Sequence, residues 1–199
     1  MLEALFAVLA FAFVATITPG GGTTVATSLG MQVGYRAALP FFLGNVLSAA
    51  SLIGLSAVGI GALMNAAPAL EMALKICGTI YLLVLAGLIA TAGVPARTQK
   101  GTFTTPGWKA GALMSLLNPK VWTLAVGAGA SFSPLMGEPA VLGALLAISF
   151  LICGLTSLSF WCLVGAGLRN WIKADAVWHL VNAVLAVMLA ATIVPIWLV

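Results

Sequence analysis

Charge is what this sequence has least of. Only 6% of its 199 residues are charged, against about 25% in soluble domains. Four of those are acidic: Glu3, Glu71, Glu138 and Asp175. Such a chain cannot cover a water-facing surface, which excludes a soluble domain. Histidine occurs once, as His179, and the three cysteines, Cys77, Cys153 and Cys162, form no C-x-x-C pair. That set cannot complete a metal site, so no cofactor is expected, and the cysteines read as small buried hydrophobes. A lone aspartate in a loop excludes intramembrane aspartyl chemistry. A histidine near the start of the last apolar run likewise argues against a buried Ser/His hydrolase.

What the chain has instead is hydrocarbon. Hydrophobic residues make up 62% of it, and the mean hydropathy is +1.18. They fall in runs near the ~20 residues that cross ~30 Å of lipid as helix. The runs lie at about 4–29, 38–63, 69–92, 109–132, 139–167 and 176–198. They predict an all-α polytopic membrane protein with six transmembrane helices in a single transmembrane domain. The opening "MLEALFAVLAFAFVATI" has no basic n-region and no cleavage site, so it reads as a retained span and not a signal peptide.

The eight basic residues, for a net charge of +4, are scattered among the loops, which is a topology signal and not a nucleic-acid surface. Arg36 lies in the first loop, Arg97, Lys100 and Lys109 flank the third, and Arg169 and Lys173 lie in the fifth. The second and fourth loops have none, with Lys75 about one turn inside the third span. The odd loops are therefore expected in the cytoplasm and both termini outside, in a multi-pass protein of a bacterial cytoplasmic (inner) membrane. Tyr35, Trp108 and Trp171 would anchor cytoplasmic edges, and Trp197 the outer edge. The polar loop at about 93–108 separates repeat one, about 1–92, from repeat two, about 109–199. Three spans per half is an odd number, so halves of shared fold lie inverted in the membrane.

Two of the spans contain poor helix material at mid-depth. "TPGGGTT" interrupts the first and "NPK" the fourth, the leading helix of each half. Thr18-Pro19 and Asn118-Pro119 each pair an N-cap residue with a proline at the first helical position. Gly20, Gly21 and Gly22 let the backbone open, and Thr23 and Thr24 supply hydroxyls. The expected result is two half-helix N-termini at membrane depth, whose free N–H groups and dipoles attract a carboxylate. A dozen residues of helix from Trp108 carry Lys120 roughly 18 Å in, near the midplane. A charge there faces a cavity, as counter-ion to a substrate carboxylate or as a titrating group in proton coupling. Gly30 with Gly34, and Gly54 with Gly59 and Gly61, read as helix-packing positions that permit a homodimer without demanding one.

These residues resemble the LysE/RhtB-type amino-acid exporter family. The likeness is carried by "TPGGGTTVATSLGMQVGYRAALPFFLGN", "LKICGTIYLLVLAGL" and "GWKAGALMSLLNPKVW" and runs through nearly the whole chain. It implies six helices, no enzymatic activity, and proton-motive export of amino acids or related small metabolites. It places Pro19, Gly20, Asn118, Pro119 and Lys120 in a central site. Two departures stand out: Gly21 replaces the family's second proline, and Asn45 stands where many members have an acid.

With no acid at mid-depth, a cationic substrate is disfavoured. The expected cargo is a small neutral, zwitterionic amino acid or derivative. Its ammonium would lie by carbonyls near Ile17 and by the Asn45 oxygen, with Phe41, Phe42 and Trp122 along the rest. The alternatives are another metabolite or a metal ion on the same fold, or a membrane redox protein using the cysteines.

Overall fold

The computed structural model describes residues 2–60, 68–93, 106–135, 138–172, 174–194 and 197, and all regular structure among them is helical. The helices are α1 (Leu2–Ile17), α2 (Gly21–Gln32), α3 (Tyr35–Leu55), α4 (Pro68–Ala90), α5 (Trp108–Leu116), α6 (Pro119–Phe132), α7 (Pro139–Trp171) and α8 (Asp175–Ala191). A wide helical turn, Ser56–Ile60, continues α3, and a short 3-10 turn, Ser133–Leu135, follows α6. Arg97, Lys100, Lys173 and Gly61, on which parts of the sequence reading rest, lie outside the described residues.

Among the described residues three stretches are long and apolar enough to cross a membrane: Tyr35–Gly59, Met72–Ala90 and Pro139–Trp171. A fourth is counted if α1 and α2, bent by 57° at their break, form one span. The apolar helix α8, of 17 residues, falls just short of that length. Where one span was expected at 109–132, the chain makes two helices of 9 and 14 residues, α5 and α6.

Local chemistry explains both breaks. Pro119 at the first position of α6 has no N–H to give to α5, so the helical ladder cannot pass through it. Asn118 then caps the new helix, its side-chain oxygen accepting from Lys120 N at 3.0 Å. At the earlier break Pro19 precedes Gly20, whose extended backbone begins α2. Gly20 N donates to Thr23 Oγ1 at 2.7 Å, replacing a ladder bond.

Small and polar residues are buried in α2, while many large apolar side chains face outward. Of the 12 residues of α2, all but Gly22 are buried, although the helix is built largely of Gly, Thr, Ser and Gln. Several of its polar side chains bond within the helix, Thr27 Oγ1 donating to Thr23 O and Gln32 Nε2 to Ser28 Oγ. Large apolar side chains such as Phe13, Ile80, Leu163 and Val187 face outward, as a hydrocarbon environment requires.

The two broken pairs exchange partners. α1 and α2 both pack on α7, α5 and α6 both pack on α3, and α3 and α7 pack on each other. α4 and α8 form a separate pair beside α2. Small residues make the tight crossings. Gly30 of α2 lies against the Cys162 carbonyl and Gly165 of α7 against the Thr27 carbonyl, each too close for any side chain. Gly44 and Gly111 do the same between α3 and α5, and Gly54 faces Gly143 between α3 and α7. Gly34, expected at such a crossing, has open space around it and a positive φ of 80°, so it shapes a turn.

The buried apolar residues form two clusters. One gathers Met31, Phe41, Phe42, Val46, Leu82, Met114, Leu158 and Leu189. The other gathers Val8, Ala12, Ile53, Ala125, Phe132, Leu142, Leu146 and Phe150. Between them lies the polar centre of the molecule.

Candidate functional site

A cavity of about 100 Å³ opens where the two clusters meet, with Val46 and Leu158 of one and Ile53 and Phe150 of the other in its wall. At ~10–15 Å³ per water, that is room for a handful of waters or one small solute. Both helix breaks reach it. Thr18, Gly20, Gly21, Gly22 and Thr23 come from the first, Asn118 and Lys120 from the second, and Asn45 from α3.

The breaks also approach each other. A side-chain carbon built on Gly20 would stand 3.4 Å from Lys120 Nζ, so the lysine head lies over the start of α2. Among the described residues no hydrogen bond or ion pair engages that head. All four acids sit in the first turn of a helix or at its N-cap, Glu3 on α1, Glu71 on α4, Glu138 before α7 and Asp175 on α8. Pro19 and Pro119 break the helices without lining the cavity. Pro119 lies instead toward α4, where Gly78 meets the Leu117 carbonyl.

The two half-helix starts differ in what they leave free. The first main-chain bond of α2 is Thr24 N to Gly20 O at 2.9 Å, so the amides of Gly21, Gly22 and Thr23 precede the first closed turn. In α6 the corresponding donors are occupied: Pro119 has none, Lys120 N is held by Asn118 Oδ1, and Val121 N by Asn118 O at 2.9 Å. Of these two starts, α2 is the one with an open anion-accepting end.

The carbonyls at the end of α1 are also already engaged. Ser157 Oγ donates to Thr16 O at 2.7 Å, and Trp161 Nε1 to Ile17 O at 3.1 Å, both from α7. The carbonyl near which a substrate ammonium was expected thus has a partner. Asn45 donates through Nδ2 to Gly111 O at 3.3 Å, and its Oδ1 accepts no hydrogen bond among the described residues.

Sequence reasoning missed Ser115. It lies on α5 one turn before Asn118, is 1% exposed, lines the cavity, and its hydroxyl has no partner among the described residues. An i−3 offset from the break was the available signal. Phe41, Phe42 and Trp122 do not line the cavity: the two phenylalanines are fully buried in the first cluster, and the Trp122 indole donates to Leu116 O at 2.7 Å. Cys77 is exposed on α4, Cys153 and Cys162 lie on α7, all three are free, and none lines the cavity. Among the described residues no three His, Cys, Asp or Glu gather as a metal site would need.

The model of one family, LysE type translocator, matches residues 13–193, which include both breaks and the cavity. The chain belongs to that family. No curated protein and no solved structure matches it. LysE translocators are multi-pass membrane transporters, not enzymes, and export amino acids or related compounds. The small-molecule partner and the lipid environment of this chain follow from that membership.

Proposed function

We propose that this LysE translocator is a secondary transporter that exports a small neutral amino acid or a derivative across a bacterial cytoplasmic membrane, driven by the proton-motive force. The observation that carries the reading is the meeting of two broken helices at one cavity, with Lys120 over Gly20. Interrupted helices from both halves are a recurrent way to build a transport site.

In this reading Thr18, Pro19, Gly20, Gly21, Gly22, Thr23, Asn45, Asn118, Pro119 and Lys120 make up the binding region. The substrate carboxylate lies at the amides of Gly21 and Gly22, with the Lys120 ammonium as counter-charge. Thr18, Pro19, Asn118 and Pro119 act by setting the breaks. The partner exchange in the packing, α1 and α2 on α7 against α5 and α6 on α3, supports two inverted three-helix repeats making six spans, and the basic residues of the odd loops favour both termini outside. Alternating access then consists of parting one apolar cluster while the other stays closed around the occupied cavity.

The test is flux in proteoliposomes under an imposed pH gradient, with labelled amino acids bearing neutral, acidic and basic side chains. Saturable, gradient-dependent movement of a neutral amino acid or its derivative, abolished in a folded Lys120→Ala variant, is the expected result. Normal transport by that variant would remove Lys120 from the mechanism.

A further inference from the structure

We infer that the cavity is built for a small organic monocarboxylate whose second polar group is a neutral hydrogen-bond donor, an amide N–H or a hydroxyl, and not a free ammonium. The inference rests on the exporter reading and narrows its substrate class to the amine-free or amine-masked derivatives.

The polar groups of the cavity are unbalanced. On the donor side stand the Gly21 and Gly22 amides at the open end of α2 and the Lys120 ammonium beside Gly20. The Ser115 hydroxyl, 1% exposed and without a partner among the described residues, adds a group that can donate or accept. A buried hydroxyl without a partner costs about 1–3 kcal/mol, so it marks a place where a ligand atom or water completes the site. One carboxylate, with about four lone-pair directions, can engage all of these.

On the acceptor side nothing in the wall is charged among the described residues. The Thr16 and Ile17 carbonyls already receive Ser157 Oγ and Trp161 Nε1. Asn118 Oδ1 is taken by Lys120 N. Asn45 Oδ1 is the one amide oxygen in the wall that accepts no hydrogen bond among the described residues. The four acids are all placed at helix starts.

An ammonium brings three N–H donors and a positive charge into this space, where Lys120 has already placed one. A buried charge needs a counter-charge, and the acceptors left in the wall, Asn45 Oδ1 and Ser115 Oγ among them, are neutral. A neutral N–H or O–H needs one acceptor, which Asn45 Oδ1 supplies. The remaining wall, including Val46, Ile53 and Leu158, is apolar and suits a short aliphatic body.

The experiment is counterflow in proteoliposomes with three labelled compounds that share a methyl side chain and a carboxylate: alanine, N-acetylalanine and lactate. Leak through protein-free vesicles is subtracted. N-acetylalanine, lactate or both are expected to move at least about tenfold faster than alanine. In Asn45→Asp, which adds the missing carboxylate, alanine is expected to gain at least about tenfold relative to both anions, a reversal that mere loss of structure cannot produce. Alanine moving as fast as, or faster than, both anions in the unaltered protein overturns the inference. If none of the three moves but an amino acid of the earlier panel does, the inference falls and the exporter reading stands. If nothing in either panel moves, both fall.

Discussion

Lys120 and Gly20 are 100 residues apart in the chain, yet the lysine Nζ lies 3.4 Å from where a Gly20 side chain would begin. That distance is ordinary van der Waals contact for one methyl group and leaves no room for more. Gly20→Ala should therefore fold and retain transport, while Gly20→Leu should push the ammonium off the start of α2. Proteoliposome flux is expected to fall by at least about tenfold in the leucine variant alone, with both variants eluting as folded protein.

Lys120 is the second residue of α6, and a charge carried to mid-membrane depth is a liability to stability. Insertion scales put it at about 2.5–3.5 kcal/mol, less where the group meets water in a cavity. Lys120→Met keeps most of the side-chain length and removes the charge. It is expected to raise the stability in detergent by about 1–2 kcal/mol while abolishing transport. A variant that is both destabilised and inactive would mean that Lys120 holds the fold instead of serving the cavity.

The glycine crossings give a sharper contrast. Gly165 sits on the Thr27 carbonyl and Gly111 on the Phe41 carbonyl, whereas Gly127 and Gly167 have nothing within 4 Å. Gly165→Val and Gly111→Val must force the helices apart, at a cost of about 3 kcal/mol. Gly127→Ala and Gly167→Ala should be neutral, or stabilising by about 0.5–1 kcal/mol through helix propensity. Thermal unfolding of the four variants in one detergent separates the two classes.

The breaks were legible in the sequence because their grammar is local, and at the second it holds as expected, with Asn118 as cap and Pro119 opening α6. At the first the expected cap, Thr18, donates back to Val14 O instead, Gly20 is the N-cap, and Pro19 lies before the helix and not at its first position. Span boundaries were less legible. The wide turn after α3 depends on Gly59, with φ at 107°, and α7 runs to Trp171, beyond the expected end at about 167. The faces of apolar helices could not be read at all. When a helix is hydrophobic on every side, periodicity does not say whether Phe41 points to the cavity or the core. Ser115, Ser157 and Trp161 escaped notice for a related reason. Their roles depend on which helix crosses which, and only the exchanged packing of α1 on α7 brings Ser157 and Trp161 to the end of α1.

Those two side chains set the last prediction. The final carbonyls of a helix lack intrahelical partners. Ser157 and Trp161 supply them for Thr16 and Ile17, at 2.7 and 3.1 Å. Each bond contributes about 1 kcal/mol, and leaving a buried carbonyl bare costs about 1–3 kcal/mol. The double variant Ser157→Ala, Trp161→Phe should therefore lose about 2–4 kcal/mol in detergent unfolding. Amide exchange should quicken in the last turn of α1 and stay slow in α3. If instead the variant keeps its stability, cavity water already satisfies the two carbonyls. They would then also be open to a substrate ammonium, and the preference for an amine-free cargo would lose one of its supports.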